Sequence, residues 1–455
     1  MENKSVSPAI SKTIESLFEQ KKYVTIRDVL STMQGIDIAY MFSELDQNML
    51  PLLFRLLPKE LAADTFVEMD DDGQEMLIHG FSDTELKEVI DELYVDDMVD
   101  LVEEMPANVV KRILRTADSE TRKAINEILK YPDDSAGSIM TTEYITLRPT
   151  MTVQDAIKRI RRTGVDKETI YTGYVTESNR TLVGMVSMRT LLLSDDADIV
   201  QDIMESNIIA VNTLDDKEEV ANQFKKYDFL AMPVVDKEFR LVGIVTVDDA
   251  IDVMEDEVTE DMEKMAAITP SDKPYLKTGV FETWKNRIPW LLLLMISATF
   301  TGMIITSFEE ALAAQVTLTA FIPMLMDTGG NSGSQTSVTV IRGLSLGEIQ
   351  FKDMLKVVWK EARVALLAGV TLAIANFFKL MFFDRVGVSV SLVVCTTLIV
   401  TVFVAKIIGC VLPMLAKRIG FDPAVMASPF ITTAVDAISL VVYFQVAALL
   451  LNLTV

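Results

Sequence analysis

The chain has 455 residues, a formal net charge of −24 and 50% hydrophobic residues, enough for several domains. Such an acid excess argues against nucleic acid as a partner, since phosphates need Lys and Arg, but it permits divalent cations, which bind carboxylate oxygens. One histidine and two cysteines, Cys395 and Cys410 in a single apolar run, exclude a disulfide framework and a dedicated zinc, copper or nickel site.

The charge divides near Arg287. The whole acid excess precedes it, since residues 288–455 carry nine acids against ten bases. A water-facing acidic body followed by a membrane body is the expectation. Met1 to Glu19 contains no long apolar stretch, so no cleaved signal peptide is expected and the acidic body is placed in the cytosol. Leu17 to Lys130 reads as short helices with apolar residues at i, i+3, i+4 and i+7, opened by caps such as Ser82-Asp83-Thr84-Glu85. None is long enough to stand alone, so a stacked superhelix is expected, with acid-rich faces that are mostly solvated.

An internal repeat covers roughly Ser138 to Met262. Ile139-Met140 returns as Ile203-Met204, and Leu182-Val183-Gly184-Met185-Val186 as Leu241-Val242-Gly243-Ile244-Val245. Each copy reads strand, helix, strand, turn, strand, helix, and the pair resembles tandem cystathionine-β-synthase-type (CBS) domains. That likeness implies an adenosine ribose site at Gly243, Thr246 and Asp249. The first copy has Gly184 and Ser187 but Thr190 where the acid would stand. A very acidic helical stretch, Asp249 through Asp261, then leads past Pro270 and Pro274 to the membrane. Its acids repel one another without counter-ions, which suits a cation-controlled lever.

Five apolar runs follow, at about 288–308, 311–342, 364–383, 388–415 and 423–453, each near the ~20 residues that span hydrocarbon. Lys285, Arg287, Arg342, Lys352, Lys356, Lys360, Arg363, Lys417 and Arg418 lie on one side, which places the N-terminus inside and the C-terminus outside. The second run carries Asp327 and then GGNSGSQT, whose glycines either let helices approach closely or let the helix open locally. Lys406 lies inside the fourth run with no evident partner. In the last run Asp422-Pro423 reads as a helix start. Beyond it, Ser428, Thr432, Asp436 and Ser439 share one stripe. A carboxylate at membrane depth costs roughly 2.5–3.5 kcal/mol, so Asp436 is expected to face water or a cation, the alternative being a polar helix–helix contact.

Taken in order, these pieces resemble the MgtE family of bacterial magnesium channels and transporters over almost the whole chain. The carrying motifs are Gly329-Gly330-Asn331, Gly333 and Gln335, and Asp422-Pro423-Ala424, Ser428-Pro429, Thr432-Thr433 and Asp436. The implied fold is a multidomain membrane protein. An all-α superhelical N-terminal domain (1–135) precedes α/β tandem CBS domains (136–200 and 201–250), a connecting plug helix (251–284) and a five-helix α transmembrane domain (285–455). The implied activity is Mg²⁺ uptake, with no catalysis, through a pore on a homodimer axis in the bacterial cell membrane. By the resemblance, Asp436 is the pore carboxylate, with Asn331, Gln335, Ser428, Thr432 and Thr433 lining the path. Regulatory Mg²⁺ would bind Asp64, Asp96, Asp100, Asp216, Glu218, Asp228, Asp249, Asp252, Glu257, Glu260, Asp261 and Asp422, closing the pore by negative feedback. ATP or another adenosine nucleotide is a further possible ligand of the CBS pair. The alternatives are a membrane-anchored CBS sensor that conducts nothing, and a broader transporter that also carries Co²⁺ or Mn²⁺.

Overall fold

The structure, a computed structural model, describes residues 8–451 apart from 166, 272, 274 and 427. It contains two compact units, Met1–Met254 and Glu255–Val455.

In the first unit ten short helices run from Pro8 to Ile128. Their starts are chemically marked: Ser82 and Glu85 form a reciprocal capping box, and Asp70 and Asp118 accept from the first-turn amides of their own helices. Each buries one apolar stripe, as Val95, Met98, Val99 and Val102 do in Val95–Glu104. Those stripes merge into one core that continues to Val220, Phe224 and Val253 in the second CBS copy. Shared burial replaces individual helix stability.

Each CBS copy forms a three-stranded sheet with the middle strand parallel to the first and antiparallel to the third. The strands are Ile145–Leu147, Thr172–Thr176 and Leu182–Ser187, then Val211–Asn212, Ala231–Val235 and Leu241–Thr246. The repeated anchors have a reciprocal purpose. A side chain at Gly243 would meet the Met140 sulfur at 2.7 Å, and one at Gly184 would collide with the Met204 sulfur. Bridges Thr141–Ile244 and Met185–Glu205 tie the same segments through their backbones. Each copy therefore seats the methionine that precedes the other.

The connecting helix is continuous over Val247–Met265, so it begins as the last helix of the second CBS copy rather than near residue 251. Among the described residues four helical segments are long and apolar enough to cross a membrane: Val280–Ser307, Phe351–Phe382, Val388–Arg418 and Ala424–Leu451. The second apolar run is different. A short helix, Glu309–Ala314, and a 3₁₀ turn, Val316–Phe321, precede an uninterrupted helix, Ile322–Ser345. At 24 residues it extends about 36 Å, enough to span by length, although its Gly, Ser, Asn and Gln keep it from being apolar enough.

One open alternative is decided here and one sequence expectation changes. The glycine-rich passage does not open; Ile322–Ser345 stays helical and uses its glycines for close approach. The last long helix starts at Ser428, not at Pro423, and Asp422 instead accepts from the Ala424 amide at 2.7 Å, capping a 3₁₀ turn over Ala424–Met426.

The glycine helix, Ile322–Ser345, packs between the Val388–Arg418 helix and the last helix. A methyl group at Gly330 would collide with the Thr432 methyl, and one at Gly409 with the Gly333 carbonyl oxygen. The second obstacle is backbone and cannot rotate away. Gly409→Val is therefore expected to force the two helices apart, at about 1–3 kcal/mol or more for overpacking, and to lower the unfolding temperature in detergent. An unchanged transition would show that the contact is looser than this geometry implies.

Candidate functional site

The polar residues of the glycine helix sort by side. Gly329, Gly330, Ser332, Gly333, Thr336 and Ser337 are buried against neighbouring helices. Asp327, Asn331, Gln335 and Thr339, each four residues apart, are exposed along another stripe. Acyl chains offer no hydrogen bonds to those groups, so the stripe suits water or another protein surface.

The last helix meets the glycine helix through the stripe read from its sequence. A side chain at Gly329 would touch Val435 and the Ser439 hydroxyl, and one at Gly330 the Thr432 methyl. Thr432 and Thr433 are half-buried; the Thr433 hydroxyl donates to the Pro429 carbonyl at 3.0 Å, using its proton within its own helix. The Ser428 side chain lies outside the described residues. Asp436 is half-buried, its Oδ1 is enclosed without a hydrogen-bond partner, and Asp327 lies within electrostatic reach. An enclosed, unpaired carboxylate oxygen beside a second acid is costly unless a cation shares the space. Two carboxylates within electrostatic reach of each other suit a hard cation rather than a soft one.

A second concentration of charge lies in the first unit. The Val95–Glu104 helix contributes Asp96, Asp97 and Asp100, the start of the connecting helix Asp248, Asp249 and Asp252, and two loops Glu143 and Glu168. Burial, reinforced by the Asp249 charge, pushes the Asp100 carboxyl up to about 7 and Asp97 to about 6. Burial also pushes Asp249 to about 6, against a hydrogen bond from the Thr246 hydroxyl at 2.5 Å. Asp96, almost fully buried, is held well above the usual carboxylate range by burial and then by Asp249. Glu168 rises to about 8 through burial and the charges of Asp97 and Asp249, and its Oε2 is buried without a partner. Asp252 extends the group toward Glu68 and Asp64, both raised chiefly by desolvation.

Sequence reading names Asp64, Asp96, Asp100, Asp249 and Asp252 and misses Asp97, Asp248, Glu143 and Glu168. Asp97 had a signal, adjacency to Asp96. The two glutamates come from loops that only tertiary folding delivers. The group does not form a tight cage: among the described residues, no three His, Cys, Asp or Glu side chains are arranged to hold a bare metal ion.

Other named acids are placed elsewhere. Asp216 caps the Lys217–Tyr227 helix by accepting from the Glu218 and Glu219 amides, and Asp228 ends that helix in the left-handed region at φ 54°. Glu257 is half-buried on the connecting helix. Further along it, Lys264 forms ion pairs with Glu260 and with Asp422, the latter at 2.7 Å, while Asp261 accepts from the Ser345 hydroxyl at 3.3 Å. Burial alone would lower the Lys264 pKa, but hydrogen bonds to Asp422 and Glu260 outweigh it and hold it raised. Burial and the Asp422 charge raise Asp261. Glu260 and Asp422, expected to take Mg²⁺, thus share a protein-borne cation.

Known proteins show the same parts in the same order. The sequence model of the divalent cation transporter family MgtE matches residues 322–446, that of the MgtE intracellular N domain residues 33–134, and that of the CBS domain residues 136–195 and 200–256. The magnesium transporter MgtE of Thermus thermophilus is 34% identical over 447 residues, covering 97% of this chain and 99% of the relative. The magnesium transporter MgtE of Bacillus subtilis is 32% identical over 435 residues, covering 95% of each. A crystal structure of the cytosolic domain of the Mg²⁺ channel MgtE in complex with ATP superposes with a TM-score of 0.51 at 34% identity, covering 53% of this chain and 99% of that one. Matches of this length, with the motif residues on facing helices, settle the family: the chain belongs to the MgtE family of divalent cation transporters.

Proposed function

We propose that this chain carries Mg²⁺ across the bacterial cell membrane, along a path lined by Asp436, Asn331 and Gln335 and closed by Mg²⁺ bound on the cytosolic side. The enclosed Asp436 carboxylate on a membrane-length helix carries this reading. Mg²⁺ dehydrates reluctantly and keeps several waters, so one carboxylate with nearby amide and hydroxyl oxygens suits it better than Ca²⁺, which takes six to eight direct oxygens. The exposed Asp327–Asn331–Gln335 stripe supports a homodimer with the path on its axis, because a second copy supplies the facing wall and a second Asp436. The glycine helix then makes the fifth crossing, with the N-terminus inside and the C-terminus outside.

The acid group around Asp249 is the proposed regulatory site. In this reading the cation keeps its waters and meets these mutually repelling carboxylates through them, as Mg²⁺, which dehydrates reluctantly, prefers to do. The cation relieves mutual repulsion in the closed conformation more than in the open one, which is negative feedback by differential binding. A nucleotide is a secondary reading, favoured by the relative solved with ATP and by Thr246 and Asp249 of the second CBS copy.

The test is Mg²⁺ flux into proteoliposomes, with Mg²⁺ on the cytosolic face raised from micromolar to tens of millimolar. Influx that falls as that concentration rises supports both parts; no influx rejects the transporter and favours a non-conducting sensor, and influx indifferent to cytosolic Mg²⁺ rejects the feedback. Lys264→Gln is expected to shift closure to higher Mg²⁺, because Asp422 and Glu260 lose their resident counter-charge. An unshifted titration would assign the pair no part in closure.

A further inference from the structure

Lys406 is almost fully buried within the long apolar helix Val388–Arg418, and the ion path described above gives it no task. Its ammonium lies 3.8 Å from Glu361 of the Met354–Phe382 helix and donates to the Thr336 hydroxyl of the glycine helix at 3.1 Å. That hydroxyl lies 3.0 Å from Glu361 Oε2, to which it donates. One threonine thus links a buried cation and a half-buried anion from two other helices.

The location matters because of what surrounds it. Gly333 lies one turn before Thr336 and Gly329 two turns before it on nearly the same face, and both allow close approach but present no side chain that would resist rotation. Thr336 follows Gly333 and is directional, fixed at once by a donor and an acceptor. A helix advances 100° per residue, so a small turn of this one would carry Asn331 and Gln335 off their stripe. A buried ion pair is weak evidence for stability and better evidence for specifying one arrangement.

We propose that Lys406 and Glu361 are positioning residues which, through Thr336, fix the rotation of the glycine helix and thereby present Asn331 and Gln335 to the ion path. The proposal rests on the path assigned above. Neither charged group touches the ion.

The test uses the full chain with Cys395→Ala and Cys410→Ala, carrying Gln335→Cys or Ser334→Cys as reporters of which side of the helix meets water. Modification by a water-soluble thiol reagent is measured on these chains, and Mg²⁺ flux and the unfolding temperature on the same variants without a reporter cysteine, because Gln335 is itself assigned to the path. Thr336→Val keeps the shape and the ion pair but removes the link. It is expected to slow modification at position 335 and speed it at 334 by roughly tenfold, the scale of one charge-assisted hydrogen bond, with flux falling in parallel. Lys406→Met is expected to do the same, and Lys406→Arg to restore much of the normal pattern. If Lys406→Met fails to assemble, Thr336→Val decides alone. A lowered unfolding temperature with unchanged modification would overturn the proposal, leaving the network merely stabilising; so would unchanged modification and flux together. Normal flux in Asn331→Ala would instead reject the lining assigned to Asn331, and because modification is read without transport the two failures stay separate.

Discussion

Asp436→Ala is expected to abolish Mg²⁺ influx while leaving the protein folded. At ~4 Å and an effective dielectric of about 20, one charge pair is worth about 4 kcal/mol, and the second charge of Mg²⁺ doubles the attraction. Removal therefore costs on the order of a thousandfold in occupancy of the path or more. Asp436→Asn, which keeps shape and oxygen but not charge, separates electrostatics from size and is expected to fail nearly as badly. Stability moves the other way. The carboxylate has an enclosed oxygen with no partner and a neighbouring acid, so neutralising it relieves strain and does not break a contact. A somewhat raised unfolding temperature with lost flux is the expected pair of results; full flux in either variant would remove Asp436 from the path.

The acid group around Asp249 predicts a second large effect, of pH. Asp97 and Asp249 are pushed up to about 6, Asp100 to about 7 and Glu168 to about 8, all mainly by burial. A carboxyl whose folded pKa lies above its unfolded value near 4 holds more protons when folded. Its contribution to stability is greatest at the acid end and is lost as pH rises from about 4 through about 6–8. A divalent cation reverses this by displacing those protons, so its apparent affinity rises with pH over the same window. With one proton released per ion bound, affinity is expected to drop roughly a hundredfold from about pH 8 to about pH 6. Calorimetric Mg²⁺ titration of the full chain carrying Asp436→Asn, in buffers of different ionisation enthalpy, counts those protons. Equal affinity at both ends, with no proton release, would place the regulatory cation elsewhere.

Much of this arrangement is legible without coordinates because it rests on local physics. Apolar run length marks the membrane segments, the repeated Ile-Met and Leu-Val-Gly anchors mark the duplicated α/β pair, and a lone acid among apolar residues marks the proposed path. The start of the last helix escapes sequence reading for an identifiable reason. Two start signals compete, Asp422-Pro423 and Ser428-Pro429, and the second prevails, leaving Asp422 to cap a shorter turn. The glycine passage admits two readings because a small residue reports room without saying what fills it; the Thr432 methyl and the Gly333 carbonyl decide in favour of packing. Glu143 and Glu168 are out of reach, since loop acids join the Asp249 group only through the docking of separate elements. Lys406 is visible as an anomaly, but its partners Glu361 and Thr336 lie 45 and 70 residues away.

The methionine exchange between the CBS copies limits how either could have arisen or be dismantled. Met140 belongs by sequence to one copy and by seating to the other, as does Met204 in reverse. Each half is thus born with a socket it cannot plug and a plug it cannot seat. Cut apart, neither copy would both fill its own pocket and bury its own methionine, so the pair is the smallest unit that closes this packing.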